Sequence, residues 1–441
     1  MPLKRPRALL ERFLPDTLVQ YVACFLPVRA ALDFFMQVLR RSVLVPWPRL
    51  DGASTVQILF SQLPSLYRTV QRLAVLPRLQ VFEAIVTARS FDVVNEILPL
   101  ATSLLSLSIR ASDPELRLAR LRVPTSVAEL KVDMDTTADQ DDLAELLSRL
   151  SLTKLGLKVR RARLLDTTLR TVSKQLRVLE LDAILDPVTL DMMPRCFPDL
   201  KELTMDAHTL DTRALAELRT LEGLRLTVDR LSQLAFVREL ANLSTLEIMV
   251  EGKDYCCRVL VLPPGLKNFV CNSLNHVDRV EVHALLEPCL ESLTLSAALL
   301  TSCPAKWIEG LRSLTCTVSV GLQQVVGGLR QLRHLHLISL SSRKARLDDI
   351  ASSSVTSLVL QDFPSLPDSS WLRGFPTLGE LDLRRCDEEA ARSWISADTF
   401  QICTGLTRVV MPTWSTLIIT VCKAPDGRIV KRIDGRIVSV L

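Results

Sequence analysis

Long apolar runs are missing from this chain. No uninterrupted stretch approaches the roughly 18 residues of a membrane-spanning helix, although hydrophobic residues make up 48% of the 441 and mean hydropathy is +0.24. The apolar residues are dispersed periodically, as a stacked core requires, so no membrane partner is expected. Aromatics are only 5%, which leaves Leu and Val to fill that core. Charge of one sign is missing too: 54 basic residues face 49 acidic ones, net +5, with no long single-sign run. That balance argues against a nucleic-acid partner. The eleven cysteines are odd in number and include no C-x-x-C pair. No apolar signal-peptide core opens the chain, and no cysteine-rich caps flank it. A reducing compartment is expected, cytoplasmic or nuclear. There is no G-x-S-x-G, no H-E-x-x-H and no phosphate-binding glycine loop. No catalytic residue, metal or cofactor is assigned, and the chain is not expected to be an enzyme.

What is present is a six-residue pattern: a Leu or Val, two variable residues, an apolar residue, one variable residue, an apolar residue. It starts fourteen times, at Leu104, Val127, Leu152, Leu176, Leu200, Leu221, Leu243, Leu266, Leu290, Leu311, Leu332, Val355, Leu378 and Leu406, with starts 21 to 28 residues apart. Each unit has two halves. One is a period-2 segment such as Leu176-Arg-Val-Leu-Glu-Leu181, whose alternation makes a short strand with Leu179 and Leu181 inward. Cys271 and Cys316 take the last apolar place of their units, where a small hydrophobe fits. The other half often reads as a helix, as at 141–150, 215–218, 231–240 and 388–394. Other units enter the strand through a proline turn, at Val123-Pro-Thr-Ser-Val127 and Leu262-Pro-Pro-Gly-Leu266, where Pro precedes the strand and does not interrupt it. The series resembles a leucine-rich-repeat solenoid. The fold class expected is α/β: a curved parallel β-sheet inside, helices and irregular turns outside, and a small N-terminal helical segment. The Asn that usually follows the strand in such repeats is mostly replaced, by Val159, Ala183, Ala207 and Val228.

The organisation read from these signals is a basic tail at 1–11, a helical segment at 12–50, a transitional region at 51–103, the repeat array at 104–413 and a cap at 414–441. The transitional region holds one further match, Leu76-Pro-Arg-Leu79-Gln-Val81, 28 residues before the first array start. The tail Met1–Arg7 reads either as a targeting signal or as a solvated segment, and Glu11 and Asp16 interrupt the acid-free character of a transit peptide. Near the other end, Asp426-Gly427 and Asp434-Gly435 lie among β-branched residues. That is a hairpin signal, suited to covering the exposed last repeat.

The segment Leu14-Pro15-Asp16-Thr-Leu18-Val-Gln-Tyr-Val22-Ala-Cys-Phe25-Leu26-Pro27 puts Pro15 at a first helical turn and Leu18, Val22 and Phe25 on one face. With Val38, Arg40 and Arg41 it resembles an F-box. It departs from that pattern where Leu39 replaces a common Cys and where Trp47 lies late. The resemblance implies that Leu14, Pro15, Leu18, Val22, Phe25 and Leu26 contact a Skp-type adaptor of a cullin–RING (SCF-type) ubiquitin ligase, while the repeats hold a protein substrate of unknown identity. The other reading of this segment is a helical cap on the first repeat. The corresponding functions are a substrate-recognition subunit of the ligase or a leucine-rich-repeat scaffold within a larger complex, without a ubiquitin link.

Binding is expected on residues pointing out from the concave face. Glu180, Asp182, Glu202, Thr204 and Asp206 fall on neighbouring strands about 4.8 Å apart. They read either as an acidic patch for a basic partner segment or as a solvated face. Ser292, Thr294, Ser296, Ser313, Thr315 and Thr317 offer hydroxyls. His334 and His336 lie two apart on one strand and are expected as an exposed pair, since a zinc site wants further ligands. His276 and His283 are near Cys271 and Cys289 in sequence only.

Overall fold

The computed structural model describes residues 55–56 and 80–440 apart from short internal segments, the longest of them 392–402. The F-box-like positions Leu14, Pro15, Leu18, Val22, Phe25 and Leu26 lie outside the described residues. The chain divides into two compact units, Met1–Asp206 and Ala207–Leu441. Each is α/β and built on an open, mostly parallel sheet, a solenoid-like arrangement.

Among its described residues the first unit carries seven parallel strands in chain order: β1 (Thr55–Val56), β2 (Val81–Val86), β3 (Ser106–Ala111), β4 (Glu129–Met134), β5 (Lys154–Leu164), β6 (Val178–Leu185) and β7 (Glu202–Asp206). Neighbouring strands pair one repeat apart, so Leu107 lies beside Leu130 and Leu130 beside Leu155. Among its described residues the main sheet of the second unit carries nine parallel strands: β8 (Gly223–Val228), β9 (Thr245–Val250), β11 (Asn268–Ser273), β13 (Ser292–Leu295), β14 (Ser313–Thr317), β15 (His334–Ile338), β16 (Ser357–Gln361), β17 (Glu380–Arg385) and β18 (Arg408–Met411). The sequence period therefore becomes the sheet register. In all fourteen units the three apolar places of the pattern are at most 7% exposed. Each buried Leu contributes about 1.5–3 kcal/mol relative to exposure.

A repeated hydrogen-bond device sets each strand entry. The N–H of the first apolar residue closes a turn onto the carbonyl three residues earlier, as in Leu104 to Ala101 (3.0 Å), Leu243 to Leu240 (3.1 Å) and Val127 to Pro124 (3.2 Å). The next two N–H groups then both donate to one carbonyl of the preceding repeat. Ala128 and Glu129 donate to Leu105, Arg333 and His334 to Arg312, and Thr407 and Arg408 to Gly379. The hydroxyls of Thr153, Ser244, Thr356 and Thr407 add a further bond to that same carbonyl.

The outer side varies with the apolar spacing. Helix α1 (Phe91–Ile97) opens the series. In α2 (Gln140–Ser148), Leu143, Leu146 and Leu147 are buried, with Leu150 just beyond; this 3-1-3 spacing is the stripe of a 3.6-residue period. Helices α3 (Asp166–Arg170), α4 (Pro187–Cys196), α5 (Ala305–Ile308) and α6 (Leu322–Gly328) are also α-helical. The helices expected at 215–218 and 231–240 are instead 3₁₀, at Arg213–Glu217 and Leu231–Glu239. Buried leucines and a valine recur there every third position, Leu215, Leu218 and Leu221, then Leu231, Leu234, Val237 and Leu240, with Phe236 buried beside them. Only a three-residue turn stacks such a series on one face. A 3₁₀ turn also rises about 2.0 Å per residue against 1.5 Å, which suits units of 21 and 22 residues. The segment 388–394 lies largely outside the described residues. Where the proline turn at Leu262 stands, the outer layer includes a small parallel sheet, β10 (Val259–Leu262) with β12 (Glu281–Ala284).

The transitional region holds a repeat strand, in a different frame from the expected one. β2 pairs with Phe82 beside Leu107 and Ala84 beside Ile109, so the frame Leu76-Leu79-Val81 is three residues out of register. Both frames offer apolar residues, and only the pairing distinguishes them; Phe82 is fully buried while Val81 is partly exposed. At the other end β19 (Ile419–Lys423), β20 (Ile429–Ile433) and β21 (Arg436–Val440) run antiparallel, β19 pairing onto β18. Asp426-Gly427 falls between β19 and β20, and the pairing of Ile433 with Arg436 leaves only Asp434-Gly435 between β20 and β21.

Candidate functional site

Strand alternation turns one row of side chains into each core and leaves the next on an open face. In the first unit that face reads Ser106, Ser108, Arg110 on β3; Glu129, Lys131, Asp133 on β4; Lys154, Gly156, Lys158 on β5; Val178, Glu180, Asp182 on β6; and Glu202, Thr204, Asp206 on β7. The five residues expected together on neighbouring strands are adjacent in register, Val178 beside Glu202 and Glu180 beside Thr204. Two of them are ion-paired from β5. Lys154 Nζ lies 3.1 Å from Glu180, and Lys158 pairs with Asp182. The Glu180 carboxylate, through its hydrogen bond and charge, raises the Lys154 ammonium above the usual lysine value; burial opposes this, and Glu129 and Glu202 add to it. Further along, Arg110 pairs with Asp133 across β3 and β4 at 3.4 Å. Between β4 and β7 the face sinks into a depression of about 280 Å³, floored by Gly156 and lined by Lys131, Lys158, Glu180, Asp182, Thr204 and Asp206. Gly156 had no place among the residues singled out from sequence. The signal for it was a glycine interrupting the outward row of a strand, which marks a close approach or a bulge.

In the second unit, Ser292, Ser313, His334 and Ser357 align across four strands, and Thr294, Thr315, His336 and Val359 form the next row. His334 is exposed and His336 half-buried. They do not act as a pair. His336 Nε2 donates to Gln361 Oε1 at 3.1 Å, and Arg385 Nη1 donates to the same oxygen at 2.7 Å. Burial lowers the His336 imidazole below the ordinary histidine value; Gln361 opposes that, the Arg385 charge reinforces it, and Asp382 and Asp362 oppose it. Charged residues again pair across or along strands here. Arg225 Nε lies 2.6 Å from Glu247, Arg408 Nη1 2.8 Å from Glu380, and Arg384 forks onto Asp382 with its shortest contact 2.6 Å.

The residues filling the missing Asn places are apolar and buried: Val159, Ala183, Ala207 and Val228 are at most 9% exposed. At one of these places a glutamine from a later turn satisfies the loop backbone. Gln233 Oε1 accepts from Asp229 N (3.1 Å) and Arg230 N (2.9 Å), and its Nε2 donates to the carbonyls of Ala207 (2.7 Å) and His208 (3.1 Å). Gln233 lies 26 residues beyond Ala207, far from the fixed offset at which an Asn is expected.

The eight described cysteines are free thiols. Burial pushes Cys271, Cys316 and Cys386 up to about 12 and Cys303 to about 11, so these sulfurs are protonated packing groups, not nucleophiles. Among the described residues no cluster of three His, Cys, Asp or Glu could hold a metal ion, and no described helix is long and apolar enough to cross a membrane. What the open faces offer chemically is hydrogen bonding and charge, displayed in fixed rows on a rigid support. Compared with known proteins, the chain matches no family model and no curated protein.

Proposed function

We propose that the chain is a leucine-rich-repeat interaction protein that binds a protein partner on the open face of its strands. On this reading it is the substrate-recognition subunit of a cullin–RING ubiquitin ligase. The observation that carries the binding role is the division of labour within every repeat. Three apolar places per unit are buried, and the alternate residues form polar rows held in register across successive strands. Such rows cost a solenoid nothing in core packing, so their chemistry is free to follow a partner. The ligase role is supported by the F-box-like spacing of Leu14, Pro15, Leu18, Val22, Phe25 and Leu26 ahead of the repeats. The adaptor docks on those residues, and the repeats hold the substrate without cofactor or catalysis of their own.

The test is affinity capture with mass spectrometry, comparing the full chain with one starting at Asp51. A Skp-type adaptor should be recovered only by the full chain, while substrate proteins are held by both. Recovery of every partner by the shorter chain, adaptor included, would instead make the protein a scaffold without a ubiquitin link.

A further inference from the structure

The depression on the first unit centres on a glycine that its backbone conformation does not require. Gly156 sits in the interior of β5, where its row neighbours Lys131 and Glu180 carry long side chains. A Cβ placed on Gly156 would meet only side-chain atoms, Lys131 Cγ at 3.3 Å and Glu180 Oε2 at 3.7 Å, with Lys131 Cβ also at 3.7 Å. The Lys131 side chain would have to give by a few tenths of an ångström, and the Gly156 backbone is not in the left-handed region that favours glycine. A strand-interior glycine bounded by side chains marks a place where another chain can approach closely.

The charges around the gap are unevenly used. Lys158 and Asp182 satisfy each other, as do Lys154 and Glu180. At the two ends of the trough stand Lys131 on β4 and Asp206 on β7, which have no ion-pair partner among the described residues. Three strand spacings separate those strands, about 14 Å at roughly 4.8 Å each. Lys131 shares its row with Gly156, Glu180 and Thr204, and Asp206 lies two residues further along β7, so the two charges are roughly 16 Å apart. Four residues of extended chain at about 3.4 Å each, with the reach of their end side chains, span that, and side chains i, i+2 and i+4 all point the same way.

We propose that this trough receives an extended partner segment running across the strands, with a carboxylate over Lys131 and, four residues away, a basic side chain over Asp206. The residue midway is uncharged and seats its side chain between β5 and β6, beside Gly156. The proposal rests on the reading of the open face as the partner-binding face and deepens it to one recognition element: an acidic and a basic residue at i and i+4 in a strand-like segment.

Binding of labelled peptides to the full chain tests it. The probe is Ser-Glu-Val-Thr-Val-Arg-Ser, kept extended by its β-branched residues. Two controls accompany it: Ser-Val-Glu-Arg-Thr-Val-Ser, with the charges adjacent, and Ser-Arg-Val-Thr-Val-Arg-Ser. The wild type should bind the first peptide and bind each control about fivefold more weakly, the scale of one exposed ion pair. Gly156→Val should weaken the first peptide about tenfold through steric exclusion while its thermal unfolding stays that of the wild type. Lys131→Glu should reverse the preference, favouring the peptide with two arginines, a gain that no loss of structure can produce. Equal binding of all three peptides, full binding by Gly156→Val, or an unchanged preference in Lys131→Glu would each overturn the proposal. If the wild type binds none of them while the chain starting at Asp51 still captures proteins, the trough proposal falls alone; if that capture is lost as well, the reading of the open face falls with it.

Discussion

Two lysines on β5 decide how acidic the neighbouring strands are. Read one strand at a time, Glu180, Asp182, Glu202 and Asp206 are four like charges. Lys154 and Lys158, one repeat earlier, pair with Glu180 and Asp182 and leave the excess on β7. Exposed pairs of this kind are worth about 0–1 kcal/mol each, so they tune recognition more than stability. The outward orientation of these residues was legible in the alternation of each strand. Their pairing was not, because it depends on which residue of the next repeat falls in register. His336 makes the same point: its spacing from His334 suggested a pair, while the structure couples it to Gln361 and Arg385, one and two strands away. Its lowered value has a consequence for pH dependence. The folded state favours the neutral imidazole, and the unfolded chain binds the proton more readily. The stability this contributes is fully present above the ordinary value of 6.5 and is lost as pH falls from there through the lower folded value. Urea unfolding should therefore show the wild type losing more stability than His336→Asn between about pH 7.5 and pH 5. Equal losses in the two proteins would remove His336 from the acid response.

At the scale of the element, apolar spacing chooses the outer layer. The i, i+3, i+4, i+7 series of α2 and the period of three in Leu231, Leu234, Val237 and Leu240 are both visible in the sequence, yet a helical reading groups them together. The distinction is physical: a period of three drifts around an α-helix and stays on one face of a 3₁₀ turn. Gln233 belongs to this scale too, because it ties the turn it sits in to the loop backbone at 207–208 and 229–230. Gln233→Ala leaves those backbone groups without that partner and should cost about 1–3 kcal/mol. The loss should appear as a lower denaturation midpoint together with faster amide exchange at Asp229 and Arg230. A variant with wild-type midpoint and exchange would show that water replaces the glutamine without cost.

For the whole molecule, the repeat period was the most legible feature. A hydrophobic place that returns every 21 to 28 residues has to be buried against its own copies, and in each unit it is. Frame and function were less legible. The strand at Val81–Val86 needed its partner β3 to set its register, since Leu79, Val81 and Phe82 are all apolar. The identity of the partner leaves no periodic trace, because outward residues answer to a surface the chain does not contain. The proposed function has two parts: an adaptor held by the segment around Leu14–Leu26 and a substrate held by the repeats. The most direct measurement is quantitative recovery of a Skp-type adaptor with the full chain and with its Pro15→Ala/Leu18→Ala variant. The account predicts that the wild type retains the adaptor, and that the variant loses it while keeping the proteins bound to the repeats. A wild type that retains no adaptor, or a variant that retains it undiminished, would contradict the account.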